Sequence, residues 1–152
     1  MKKIIYSPGE PSGIGPDLII KLSSSKLWED LKIPIVSIGD PKLFIDRAAL
    51  LKKKIKIIEL ESLNQVSKNS KGLIQIIKVT KCSNTRPGKL YKSNAQYVLD
   101  NLTYSIEQTM QNEGTALVTG PLSKENIISI DKLFTGHTEY IKKITKSKDV
   151  LM

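Results

Sequence analysis

Ala116-Leu-Val-Thr-Gly-Pro-Leu-Ser-Lys-Glu125, then an isoleucine-rich segment, then Phe134-Thr-Gly-His-Thr-Glu139: the reading of the chain turns on this stretch. A short apolar run, Ala116–Val118, stops at Thr119-Gly120-Pro121, as a buried strand does when it ends in a tight turn. Gly120 permits close backbone approach, and Pro121 suits the first position of a helix. Ser123 and Lys124 then fall near that helix start, where free N–H groups and a cation favour an anion. The second part carries His137, the only histidine in the protein. Gly136 precedes it, and Thr138 and Glu139 follow. A lone histidine in a turn is most simply a solvated side chain. Two hydroxyl-bearing glycine turns so close in sequence weigh against that reading and mark a candidate site.

Upstream, Ser93–Asn112 is the longest helical pattern. Ala95, Val98, Leu99, Leu102, Ile106 and Met110 form a stripe expected to face the core. Gly114 stops that helix, and Thr115–Val118 returns as a strand. At the start of the chain, Lys3–Tyr6 reads as a strand, followed at once by Ser7-Pro-Gly-Glu-Pro-Ser-Gly-Ile-Gly-Pro-Asp17. Its prolines and glycines make it an ordered loop rather than a slack one. The Gly13-x-Gly15 pair resembles a phosphate-binding turn but lacks the third glycine of the dinucleotide fingerprint. Pro16 opens a helix with Leu18, Ile19 and Leu22 on its apolar face.

Between these ends, Ile33–Ile38 reads as a strand. Asp40 caps a helix opened by Pro41 and running to about Leu51. Ile55–Ile58 and Leu73–Val79 are strands, and Ser62–Lys71 is a polar loop. Lys52-Lys-Lys54 is a solvated turn. Thr85–Lys89 is a second Gly/Pro loop. Glu125–Ile130 completes the helix expected from Pro121, and Glu139–Lys146 is a last short helix. Asp149–Met152 reads as the beginning of a strand. Alternating strands and helices predict an α/β fold with a mostly parallel sheet and helices on both faces. Ile4–Tyr6 and Thr115–Val118 are expected as interior strands. Ser7–Gly15, Thr119–Lys124 and Gly136–Glu139 are expected to meet in one cleft at the C-terminal strand ends.

Composition bounds the function. The 152 residues can bury a sizeable core. No apolar run approaches the ~20 residues needed to span a bilayer, and Ser7–Pro11 ends the N-terminal apolar run too soon for a signal peptide. A cytoplasmic location is the expectation, with no membrane partner. Cys82 is alone, which excludes an internal disulfide. The formal charge of +9 invites a nucleic-acid reading. Arg47 and Arg86 are the only arginines, however, and base readout and bidentate phosphate contacts favour arginine. The lysines are spread along the chain and are not interleaved with aromatics, so no nucleic-acid partner is expected.

The combination of loops is more specific than any one of them. Pro8–Asp17, then Gly88-Lys-Leu90 with Asn94-Ala95 and Tyr97-Val98, then Leu117–Pro121 with Lys124, then Phe134–Glu139, together resemble the 4-hydroxythreonine-4-phosphate dehydrogenase family of pyridoxal phosphate biosynthesis. The resemblance runs from Ile4 to Met152. It implies a two-domain α/β fold similar to isocitrate and isopropylmalate dehydrogenases, in a cytoplasmic homodimer of about twice this length. It implies NAD or NADP and a divalent metal (zinc, magnesium or cobalt), oxidation of a phosphorylated hydroxy amino acid, and loss of CO2 from the β-keto acid. It implies substrate contact by His137 and Thr138. The family's metal-binding histidines and phosphate-gripping residues have no counterparts here, so the metal ligands are not expected in this chain. Residues 1–152 are therefore expected to be one α/β region matching the N-terminal part of the dehydrogenase, with a separate C-terminal half as a candidate partner. Two alternatives stand beside this: an inactive fragment that only folds or dimerises, and a related dehydrogenase acting on another phosphorylated hydroxy acid.

Overall fold

The computed structural model describes residues 2–148. Its elements are β1 (Lys3–Ser7), α1 (Gly15–Ser23), α2 (Lys26–Asp30), β2 (Ile35–Ile38), α3 (Pro41–Leu50), β3 (Lys56–Leu60), β4 (Leu73–Ile77), α4 (Ala95–Gln111), β5 (Thr115–Thr119), α5 (Lys124–Ile128) and α6 (His137–Thr145). Five strands form one sheet in the order β3-β4-β2-β1-β5, with every pairing parallel. The expected strand at Asp149–Met152 lies outside the described residues.

Alternation along the strands builds two apolar layers. Ile4, Tyr6 and Val118 share one face with Ile19 and Leu22 of α1. Ile5, Val36, Ile38 and Ile77 face the other way, against Leu63, Val66 and Tyr104. Helices therefore cover both faces. Trp28 of α2 is buried, and its indole N–H donates to the Leu73 carbonyl at 3.2 Å. α3 starts as its sequence dictates: Pro41 opens it, and the Asp40 carboxylate accepts from the Lys42 N–H at 3.2 Å.

Three expectations need correction. β1 is interior, but β5 is the sheet edge among the described residues, and Val118 is 46% exposed. The Thr-Ala-Leu-Val-Thr run is apolar although only Leu117, on one face, packs into the core, while Ala116 and Val118 are exposed on the other. α5 does not open at Pro121. Residues 121–123 are non-helical, and Ser123 is the cap, its hydroxyl accepting from the Asn126 N–H at 3.3 Å. Met110, at the end of the α4 stripe, is exposed, while the polar Asn101 and Ser105 are buried. Ser62–Lys71 is the expected loop, opened by a single 3₁₀ turn at Leu63–Gln65 and held in place by its own side chains. Leu63 and Val66 plug the second layer, and the Asn69 amide donates to the Ile33 carbonyl at 3.0 Å while its Oδ1 accepts from the Ile35 N–H.

The first loop is held by a residue from another element. Arg47 of α3, 4% exposed, donates to the carbonyls of Pro11 (2.7 Å) and Gly13 (3.1 Å) and pairs with Asp17 at 3.1 Å. Removing this guanidinium strands two carbonyls and one half-buried carboxylate. Arg47→Met is expected to cost about 3 kcal/mol of stability, measured by urea unfolding followed through Trp28 fluorescence. A loss under ~1 kcal/mol, the range of a surface pair, would show that the loop holds itself.

Candidate functional site

In an open parallel sheet, ligands bind where the strand order reverses, at the C-terminal strand ends. From β1 the chain goes to β2 on one side, and it later returns to β5 on the other. The reversal therefore lies between β1 and β5. Ser7 pairs with Thr119 in register, so the loops leaving these two strands start side by side.

The two loops are joined through their backbones. The Gly120 N–H donates to the Ser7 carbonyl at 2.7 Å, and the Glu10 N–H donates to the Pro121 carbonyl at 3.0 Å. A methyl group on either Gly15 or Gly120 would overlap the Pro8 carbonyl oxygen, and one on Gly9 would overlap the Pro121 carbonyl oxygen. The glycines of Ser7–Asp17 thus serve backbone packing within the protein. The buried Glu10 carboxylate accepts from the Ser12 N–H (3.2 Å) and from the Asn126 amide (3.1 Å). That amide also donates to the Tyr91 carbonyl at 3.1 Å, which ties α5 to the start of α4. The Gly88 N–H donates to the Ser12 carbonyl at 2.9 Å, so the second Gly/Pro loop also rests on the first.

The third segment meets the other two. The His137 imidazole lies beside the backbone of Gly120. Burial lowers the imidazole pKa from its ordinary value, and the nearby Gly120 backbone only partly offsets this. The ring is therefore neutral at pH 7 and can exchange hydrogen bonds with a polar ligand. Gly136, just before it, has φ +151°, and the Lys124 side chain lies against it. Phe134 is buried and stacks obliquely on Tyr140 with centroids 5.4 Å apart. The Tyr140 hydroxyl hydrogen-bonds Thr103 at 2.8 Å, fixing α6 on α4. Ser7–Gly15, Thr119–Lys124 and Gly136–Glu139 thus come together beside the ends of β1 and β5. Sequence reasoning missed Glu10, Asn126 and Arg47 as their framework. Only the rarity of arginine in the chain singled out Arg47.

A cavity of about 300 Å³ lies elsewhere, lined by Asp40, Arg47, Lys81, Cys82 and Thr85, among others. Burial, with Asp40 and Glu10 adding to it, pushes the Cys82 thiol up to about 12, so it is no nucleophile at neutral pH. The described residues contain no group of three His, Cys, Asp or Glu side chains able to hold a metal ion. None of the described helices is long and apolar enough to cross a membrane.

Known proteins match this chain in sequence and fold. Residues 30–152 match the family model of the pyridoxal phosphate biosynthetic protein PdxA. Over 152 residues the chain is 33% identical to 4-hydroxythreonine-4-phosphate dehydrogenase of Citrobacter koseri, covering all of this chain and 45% of that protein. It is 35% identical to the enzyme of the same name from Pseudoalteromonas translucida, covering 99% of this chain and 44% of that one. The crystal structure of a 4-hydroxythreonine-4-phosphate dehydrogenase from Burkholderia phymatum superposes with TM-score 0.87 at 19% identity, over 98% of this chain and 45% of that chain. The chain thus spans less than half the length of the curated relatives it matches.

The buried, neutral imidazole sets a pH dependence. Its folded-state pKa lies below the ordinary 6.5, so the unfolded chain binds the extra proton first. Stability should be full above about pH 6.5 and fall as pH drops from there toward the folded-state pKa. His137→Gln should flatten the urea midpoint against pH in that window. An unchanged slope would mean that the ring is not desolvated in solution.

Proposed function

The chain belongs to the PdxA family of pyridoxal phosphate biosynthetic proteins, and on that premise we propose that it supplies the substrate-orienting part of a 4-hydroxythreonine-4-phosphate dehydrogenase site. The reaction is the NAD(P)-dependent oxidation of 4-phosphooxy-L-threonine, followed by decarboxylation of the resulting β-keto acid. The meeting of His137 with the Gly120 turn carries this reading. It sets a neutral imidazole and the Thr138 residue at the strand-order reversal, where an open parallel sheet takes its ligands.

His137 and Thr138 are the proposed substrate contacts. With its imidazole beside the Gly120 backbone, His137 can hydrogen-bond a substrate hydroxyl or carboxyl group through a ring nitrogen. Such contacts fix orientation and so lower the entropic part of the barrier. A bound nicotinamide accepts the hydride from the carbinol carbon; this chain's residues hold the carbinol in place for it. No described side-chain grouping fits a divalent metal, so no step is assigned to a metal here. Residues 1–152 are proposed to correspond to the N-terminal part of a two-domain, cytoplasmic, homodimeric dehydrogenase. The missing metal grouping favours a second reading for the chain acting alone, namely binding without turnover.

The test is NAD and NADP reduction with 4-phosphooxy-L-threonine and added zinc or magnesium. The chain is assayed first alone and then mixed with a separately expressed C-terminal half of a relative. No turnover alone and turnover on mixing is the expected result. In the mixture His137→Ala should weaken substrate binding by about 1–3 kcal/mol, the cost of a polar group left unpaired. Turnover by the isolated chain would overturn the division of the site.

A further inference from the structure

The same cluster of loops holds a cation that the substrate contacts do not explain. Lys124 opens α5, and its backbone is fixed from three sides. Ser123 caps the helix, Asn126 is 3% exposed and bonded to Glu10 and Tyr91, and Ile127 is 1% exposed. The side chain is exposed and runs along Gly136. A methyl group at Gly136 would sit 3.3 Å from Lys124 Cε, 3.6 Å from its Nζ, and 3.3 Å from Glu139 Oε2. The ammonium therefore lies about one carbon–nitrogen contact from the residue that precedes His137.

Its company makes this position informative. A surface lysine beside a carboxylate ordinarily closes an ion pair, as Lys42 does with Asp46 at 2.7 Å. Lys124 has Glu125 next in the chain and Glu139 across Gly136. Yet it makes no ion pair or hydrogen bond among the described residues. The glycine at φ +151° leaves room for the lysine stem, which any L side chain would narrow. A stem held against a fixed turn also loses less rotamer entropy on meeting a ligand than a free one does.

We propose that Lys124 is the cationic contact for an oxyanion group of the ligand seated on His137 and Thr138. An ammonium is a point charge that suits a carboxylate or a phosphate equally well. This inference rests on the substrate class proposed above, a phosphorylated hydroxy acid, which carries both groups.

The experiment is an amide NMR titration of the ¹⁵N-labelled chain with three probes: 4-phosphooxy-L-threonine, 4-hydroxy-L-threonine and inorganic phosphate. Lys124 and residues 136–138 should shift on binding. Lys124→Met should weaken binding roughly tenfold, the low end for a charge-assisted hydrogen bond. Lys124→Arg should keep most of the affinity. Lys132→Met, an equal loss of charge at an exposed neighbour, should change it less than twofold. Trp28 fluorescence verifies that each variant is folded. A response to 4-hydroxy-L-threonine that depends on Lys124 assigns the lysine to the carboxylate. A Lys124-dependent response to the phosphorylated compound alone assigns it to the phosphate. If inorganic phosphate binds through Lys124 as tightly as the hydroxy acid does, the lysine contact stands and the hydroxy-acid reading fails. Equal affinity of wild type and Lys124→Met for 4-phosphooxy-L-threonine overturns the lysine contact and leaves that reading standing. Absence of any shift at Lys124 with all three probes overturns the proposal.

Discussion

The Pro8 carbonyl lies where two glycines crowd it, Gly15 from the start of α1 and Gly120 from the end of β5. The rest of the site depends on this contact. A side chain at either glycine would push the first loop off the second, because the obstacle is backbone and cannot swing aside. Backbone hydrogen bonds from Gly120 to Ser7 and from Glu10 to Pro121 then hold the two turns in one register. Gly120, once placed, offers its own backbone to His137. The position of the imidazole is therefore a consequence of strand register, passed along through main-chain groups that mutation of side chains cannot easily loosen.

Around that contact the protein uses buried polar side chains where a larger domain would use more apolar ones. Glu10, Asp40, Arg47, Asn94 and Asn126 are all buried. Each ties a loop to a different element. Asp40 caps α3 and also accepts from the Cys82 N–H at 2.9 Å, while the Asp40 N–H donates to the buried Tyr97 hydroxyl at 3.0 Å. The net gain per hydrogen bond is modest, about 1 kcal/mol, but a partner left unpaired costs about 1–3 kcal/mol. Such a network specifies one loop arrangement more strongly than it raises total stability. That suits a ligand site, whose geometry matters more than its depth.

The sequence made the strands and the special loops legible because both leave local marks. Ile4–Tyr6 and Ala116–Val118 are apolar runs stopped by glycine and proline, and Asp40-Pro41 announces a helix start. The convergence of the three loops could also be read, since parallel strands put their C-terminal loops on one side. What could not be read depends on distant partners. Nothing local in Thr115–Thr119 tells an edge strand from an interior one, because the run is as apolar as an interior strand although Ala116 and Val118 are exposed. Pro121 carries the mark of a helix start, yet the Pro121 carbonyl is engaged by Glu10 and the helix waits for Ser123. Nothing in the sequence pairs Glu10 with Asn126, yet they are bonded to each other across most of the chain.

The site's chemistry also explains what these residues can and cannot contribute. A neutral imidazole holds an uncharged polar group without drawing a second counterion into the site. A nearby ammonium, free of partners among the described residues, supplies a charge that the imidazole lacks. On the reading proposed above, the two would discriminate a hydroxy acid from a plain alcohol by requiring a hydroxyl and an oxyanion at once. Neither group can accept a hydride, and nothing among the described side chains gathers the ligands of a Lewis acid. What fixes these groups is main chain: the contacts between the loops leaving β1 and β5 set the position of the imidazole, and side-chain substitution around them cannot easily move it.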